Sequence, residues 1–295
     1  MDTLYRRIRI PGMGVCLPRC SEPEYARRTV ICSADPSHHH MEVQGSSCGR
    51  VECPQCHKTW ENRAADRAGA RIEGYQRCIR APPKHVIFSL SAEEAATLGY
   101  GKAPMYVIEK KAKAILLKRA EEVGITGGAA IFHPWRFNKR NIPIEALQLM
   151  KANSAVRANP DKFSEWMTFE PHLHLVAFGW LERVKKGGGF QYKNKGSLRS
   201  REDIERVVRY ALTHTWIDLD EERQKHKVTY FGRCSYRKLK PIRLHQVKQE
   251  RVCPVCGAVL IYDDTRRVFY DRLTVADGWV IVKDIHTTPS AEVFT

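Results

Sequence analysis

His172 and His174 lie two residues apart in the run Phe-Glu-Pro-His-Leu-His-Leu-Val-Ala-Phe-Gly (169–179), whose apolar pattern predicts a strand. Successive strand side chains leave opposite faces, so the two imidazoles emerge on one face about 6–7 Å apart and can converge on a single ion. Leu173, Leu175 and Ala177 point the other way, into a core, and hold the pair on a rigid element, as a metal site requires. A third ligand has two candidates. His133, in Ala-Ile-Phe-His-Pro-Trp-Arg-Phe (130–137), belongs to the preceding predicted strand, which is expected to pair with the first. Glu170 shares the face of the histidines, although three consecutive same-face residues span a long way for one small ion. Nitrogen and oxygen ligands of this kind suit Mn²⁺ or Mg²⁺, with Mn²⁺ the more tolerant of imidazole.

A polarising ion can work beside a nucleophilic side chain. Tyr210, in Arg-Tyr-Ala-Leu-Thr-His (209–214), is the candidate, and His214 follows one helical turn later on the same face. The helix is expected over 201–217. Ser200 and Asp203 have the form of a capping box, and Ile204, Val207, Val208, Ala211 and Leu212 form an apolar stripe. Tyr230 and Tyr236 are reserve nucleophiles. Their neighbours Arg233, Arg237 and Lys238 make nucleic-acid contact the more natural role.

The ten cysteines supply a second chemistry. Cys48-x4-Cys53-x2-Cys56, with Cys32 upstream, has the spacing of a closed tetrahedral Zn²⁺ site, and one of His38, His39 and His40 can stand in for Cys32. Cys253-x2-Cys256-Gly257 is half of a zinc ribbon. Cys16 and Cys20 can complete it, and Cys234 is another option. Cys78, alone on a predicted helix, reads as a core residue.

These groups must be positioned by a recognisable set of elements. A helix is expected over 59–80, a strand over 85–91, and an amphipathic helix over 104–123 that stops at Gly124. A strand over 127–137 should end near Pro134, followed by the histidine strand over 168–181, the tyrosine helix, and a strand over 227–236. The order implies an α+β fold, with an antiparallel central sheet and helices packed against it. Three regions follow: a Cys-rich zinc-binding region with a long helix at 1–83, a central domain at 84–240, and a zinc-knuckle β segment at 241–295. A hydrophobic content of 43% can bury a sizeable core.

Formal charge is +16, and 29 of the 49 basic residues lie in 84–240 against 17 of the 33 acidic ones, which favours a polyanion-binding face there. Lys185, Lys186, Lys193, Lys195, Arg199 and Arg201 fall in a Gly-rich loop at 182–203, between the histidine strand and the tyrosine helix, with Phe190 and Tyr192 interleaved. Such a loop suits backbone contact and base stacking on single-stranded DNA. The absence of a long apolar run or signal-peptide pattern leads to the expectation of an intracellular, cytoplasmic protein with no membrane contact.

Pro-His-Leu-His resembles motif 2 of the HUH endonucleases, in which two histidines separated by a hydrophobic residue bind a divalent ion. Tyr210 resembles the tyrosine of motif 3, with His214 standing where that motif has Lys, so His214 can position phosphate, move a proton or bind metal. The strand Val-Ile-Phe-Ser-Leu-Ser (86–91) resembles motif 1. The arrangement of a Cys-rich N-terminus, a long helix, this core and a Cys-Pro-Val-Cys-Gly tail is similar to the rolling-circle replication initiators of archaeal plasmids and viruses. The resemblance implies the HUH fold and a single-tyrosine nickase and strand transferase that leaves a 5′-phosphotyrosine and a free 3′-OH. It also implies single-stranded or hairpin origin DNA as substrate, with helicase and polymerase supplied by the host of a plasmid or virus. Two other readings stay open: a rolling-circle transposase of the same superfamily, and a non-catalytic zinc-ribbon binder of nucleic acid.

Overall fold

A computed structural model describes residues 8–18, 20, 25–35, 37, 39–44, 47–138, 140–145, 152–179, 191–218, 227–239, 252–253, 255–263, 274–276 and 279–281. The strands, in chain order, are β1 (Ile8–Arg9), β2 (Tyr25–Cys32), β3 (His39–Gln44), β4 (Lys84–Ser89), β5 (Ile125–Phe137), β6 (Met167–Gly179), β7 (Gln191–Ser197), β8 (Ile217–Asp218), β9 (Val228–Gly232), β10 (Leu260–Asp263), β11 (Thr274–Ala276) and β12 (Trp279–Ile281). The helices are α1 (His57–Ile79), α2 (Ala92–Thr97), α3 (Met105–Glu122), α4 (Ala152–Ala158), α5 (Phe163–Trp166) and α6 (Arg201–Leu212).

The protein is α+β. Where the sequence suggests three consecutive regions, contacts divide the chain into two compact units, one of residues 1–16 and 49–244 and one of 17–48 and 245–295. In the larger unit a five-stranded antiparallel sheet runs in the order β7-β4-β6-β5-β9. In the smaller unit a second five-stranded sheet runs β10-β2-β3-β12-β11. The Cys-rich N-terminal stretch, expected to depend on metal for its order, thus contributes two strands to a sheet that the C-terminal segment completes. No helix among the described residues is long and apolar enough to cross a membrane.

Side-chain alternation sorts the larger sheet into two cores. Val86, Phe88, Ala130, Phe132, Leu173, Leu175 and Ala177 pack with Ile108, Ala112 and Leu116 of α3 on one face. Ala129, Ile131, Val176 and Phe178 pack on the other face, with Ala65, Ala68 and Ile72 of α1 and Ile204, Val208 and Leu212 of α6. Each large apolar side chain buried in this way contributes roughly 1.5–3 kcal/mol. The period of two places His85, His133, His172 and His174 on the face that carries α1 and α6.

Three expectations about element limits change, one of them at β9, which stops at Gly232 rather than at 236. β5 does not end near Pro134. It runs on to Phe137 through a register shift between His133 and Trp135, and Pro171 of β6 falls in the same irregular stretch between Phe169 and His172. β9 pairs with β5 only as far as Ile131, so the N–H that Pro134 lacks is not missed by that neighbour. The tyrosine helix stops at Leu212, five residues short of the expected end, after starting at Ser200 with both capping-box hydrogen bonds in place. Gly128 is among the glycines required by close approach: a Cβ there would meet the Val176 carbonyl oxygen at 2.3 Å.

Candidate metal centre and tyrosine

His133 stands directly opposite His172 in the β5–β6 ladder, and His174 stands opposite Ile131 on one side and Ile87 on the other. The ligating atoms of His133, His172 and His174 lie within 4.8 Å of one another, and all three residues are buried, so the group can hold a metal ion. The expected pair and the first of the two third-ligand candidates therefore meet. Glu170 does not join them, because it turns outward to Arg136 at 3.1 Å and its side chain is 55% exposed. The physical reason is reach: the strand carries Glu170 one full pleat beyond His172, where Arg136 is the nearer partner.

A hydrogen bond to a backbone carbonyl fixes the tautomer of His172. His172 Nδ1 lies 2.8 Å from the Glu170 carbonyl oxygen, which can only accept, so Nδ1 carries the proton and Nε2 keeps its lone pair. His174 Nδ1 lies 3.0 Å from Nε2 of His85 on β4. If His174 ligates through Nε2, its Nδ1–H donates to His85, the outer contact that metal-binding imidazoles usually make. His133 is fully buried, and neither ring nitrogen has a hydrogen-bond partner. The Ala211 carbonyl, the one backbone group that favours its charged form, falls short of hydrogen-bond geometry.

All of these rings are held neutral. Burial, then the Arg136 charge, lowers His172 to about 3, and burial, then the neighbouring histidines, puts His133 and His174 well below the ordinary value. Burial, then Lys195, lowers His85 to about 4. At neutral pH an incoming cation therefore has no ring proton to displace.

His85 was not singled out from the sequence, where it is the first residue of an apolar strand. Only its register, one strand away from His174, discloses it. His85→Ala is expected to weaken Mn²⁺ binding by about 10–100-fold, and His85→Gln, which offers an acceptor oxygen, to recover most of that loss. Calorimetric titration of the three proteins with Mn²⁺ checks this, and equal affinities would remove His85 from the site.

Tyr210 lies near the C-terminus of α6 and is 55% exposed, with its ring centre 5.8 Å from His174 and 4.6 Å from His214. His214 follows the helix end and is buried, its ring centre 4.7 Å from His133. Thr213 donates its hydroxyl proton to the Tyr210 carbonyl at 2.8 Å, so its oxygen accepts from His214 Nδ1–H at 2.8 Å. His214 Nε2 is thereby left as the unprotonated nitrogen. Burial, then Arg157, lowers this ring to about 4.

The reserve tyrosines are engaged elsewhere: Tyr230 and Tyr236 pack edge to face at 5.2 Å, with the Arg71 guanidinium over both rings. Burial pushes the Tyr230 phenol up, away from nucleophilic use.

The basic segment is partly strand, not loop. β7 pairs with β4 along the sheet edge and places Lys193 opposite Ile87, on the histidine face. Lys195 is the extra residue of the bulge between His85 and Val86. Both are exposed, as is Arg199. Arg201 is bound to Asp66 at 2.5 Å and Glu205 at 2.7 Å, which removes it from the set available to a polyanion. Lys185, Lys186 and Phe190 lie outside the described residues.

The cysteines sort differently from their spacing. Cys20 Sγ lies 3.6 Å from Cys48 Sγ, and Cys32 groups with neither. Cys16 Sγ is 3.5 Å from Cys53 Sγ. The Cys253–Cys256 knuckle is joined by Cys32, not by Cys16, Cys20 or Cys234, and this trio can also hold an ion. Cys234 is buried in the α1–α6 core, where burial raises its thiol to about 12. Cys78 is exposed on α1, not a core residue. His38 lies outside the described residues, as do the side chains of His39 and His40.

No family model, curated protein or solved structure matches the chain.

Proposed function

We propose that this chain is a metal-dependent, single-tyrosine DNA nickase with the HUH fold that initiates rolling-circle replication. The observation that carries the reading is the exposed Tyr210 hydroxyl-bearing ring 5.8 Å from His174, at the mouth of a buried three-histidine group. A core tyrosine would be covered, and a structural histidine cluster would have its nitrogens paired within the protein.

His133, His172 and His174 would hold Mn²⁺ or Mg²⁺, which supplies Lewis-acid polarisation of the scissile phosphate. Tyr210 Oη attacks the phosphorus and the bond from phosphorus to the 3′ oxygen breaks. The phosphate stays on the tyrosine as a 5′-phosphotyrosine, and the departing oxygen takes up a proton to become a 3′-OH. His214 is the imidazole nearest Tyr210 of the two in ring contact with it, and its Nε2 lone pair receives the phenol proton. Lys193, Lys195 and Arg199 bind the backbone of single-stranded or hairpin origin DNA along the β7 edge. Host helicase and polymerase would unwind the duplex and extend the 3′-OH. Zn²⁺ held by the cysteines is structural in this reading.

Incubated with Mn²⁺ and single-stranded oligonucleotides spanning the origin of its own replicon, the purified chain should form a covalent adduct that survives denaturing electrophoresis. Tyr210→Phe should reduce the adduct by at least about 10³-fold, since it removes the attacking oxygen. An adduct of undiminished yield in Tyr210→Phe, or no adduct on any origin strand, overturns the reading.

A further inference from the structure

The smaller unit's sheet carries a cysteine cluster where two of its strands join. Among the described residues its buried cluster consists of Cys32, Cys253 and Leu260, with Ala258 packed against them. Two of the three are thiols, and their disposition is specific. Cys32 ends β2 and is the direct partner of Leu260 at the start of β10. Ahead of β10 the chain makes a tight turn: Gly257 N donates to the Cys253 carbonyl at 2.8 Å, and Cys253 N donates to the Ala258 carbonyl at 2.7 Å. Gly257 takes a φ of +74°, which glycine adopts without strain. The turn brings the Cys256 sulfur to 3.3 Å from that of Cys32, and the Cys253 sulfur within 4.8 Å of both. Tetrahedral thiolates bound to one zinc at about 2.3 Å sit at comparable spacings.

We propose that Cys32, Cys253 and Cys256 bind one Zn²⁺ as thiolates, and that this ion fastens β10 to β2. Binding releases three thiol protons and changes no oxidation state. Among the described residues no His, Asp or Glu joins the trio, and water can take the fourth position. The ion thus closes a connection between positions 32 and 253, and the free energy of metal binding becomes folding free energy for this unit. The site is independent of the nuclease reading.

The test uses the full chain, with zinc counted by mass spectrometry of the metal and hydrogen exchange followed over residues 25–32 and 260–263. Cys256→Ser is the chosen variant, because this residue is exposed and serine is tolerated there without metal. It should carry one zinc fewer per chain than the unaltered protein and lose exchange protection in both strands, while α1, α3 and α6 keep theirs. Cys78→Ser, at an exposed thiol on α1, should keep the full zinc count. An unchanged count in Cys256→Ser overturns the proposal. So does a Cys32–Cys256 disulfide in protein prepared without oxidant, which would make the 3.3 Å contact a redox pair.

Discussion

His133→Leu should unfold at a higher temperature than the unaltered chain when both are stripped of metal, and should lose all response to Mn²⁺. The two halves of this result have one cause. His133 is fully buried with both ring nitrogens unpaired. A buried polar group left without a partner costs about 1–3 kcal/mol, and an apolar side chain of similar size avoids the cost. Leucine fits this setting, since Ile131 and Phe132 precede it on a strand packed on both faces. For a domain of this size the gain corresponds to a rise of roughly 2–8 °C. In the unaltered chain, saturating Mn²⁺ should raise the melting temperature by binding the folded state alone, and this rise should vanish in His133→Leu. Origin nicking should fall by at least about 10³-fold, the scale set by loss of electrostatic stabilisation at a reacting phosphate. Thermal melts with chelator and with Mn²⁺ separate the outcomes. A metal-free variant that melts lower would mean that His133 is a satisfied core residue, and a persisting Mn²⁺ shift would move the ion elsewhere.

The residues at this centre differ in how far the sequence exposes them. His172 and His174 are legible because a strand period of two is simple and their neighbours Leu173 and Leu175 define the opposite face. The cap of α6 is legible because Ser200 and Asp203 act over three residues. His85 and the Cys32 partnership are illegible for one shared reason: each depends on which strand lies beside which, and register is set by the whole sheet, not by local spacing. Cys32 lies 16 residues from Cys48 but is drawn to Cys256 by the pairing of β2 with β10. β7 hides for a different reason. Its Gln-Tyr-Lys-Asn-Lys-Gly-Ser sequence has the polar composition of a loop, and an edge strand needs little else, since only Tyr192 finds a core contact, stacked on Phe88 at 5.4 Å. The antiparallel α+β plan is readable because it rests on apolar runs, while the basic segment reads as loop because charge does not specify backbone conformation.

Behind the tyrosine helix, Glu61→Gln should stabilise the chain at pH 8 and leave it unchanged near pH 4. Glu61 is buried on α1, 3.5 Å from Arg157, whose guanidinium also donates to the Pro11 carbonyl at 2.7 Å and the Thr213 carbonyl at 2.9 Å. Burial outweighs the attraction of Arg157 and raises the Glu61 carboxyl from 4.5 to about 7. A carboxyl whose folded value lies above its unfolded one favours folding fully below pH 4.5. That contribution is lost as pH rises toward 7 and stays lost above it. The shift corresponds to roughly 2–3 kcal/mol after allowance for solvent at the contact. Glutamine keeps the neutral shape at every pH, so the difference in unfolding free energy between variant and unaltered chain should open between pH 4.5 and 7 and favour the variant. Denaturant titrations at pH 4, 6 and 8 measure it. An ordinary favourable ion pair would give the opposite sign at pH 8, with glutamine the less stable. Because Arg157 also fixes the Thr213 carbonyl beside His214, the same titration asks whether ionisation of Glu61 is felt at the tyrosine. Adduct yield in Glu61→Gln should then match the unaltered chain at pH 6 and exceed it at pH 8, where the unaltered protein carries the buried charge.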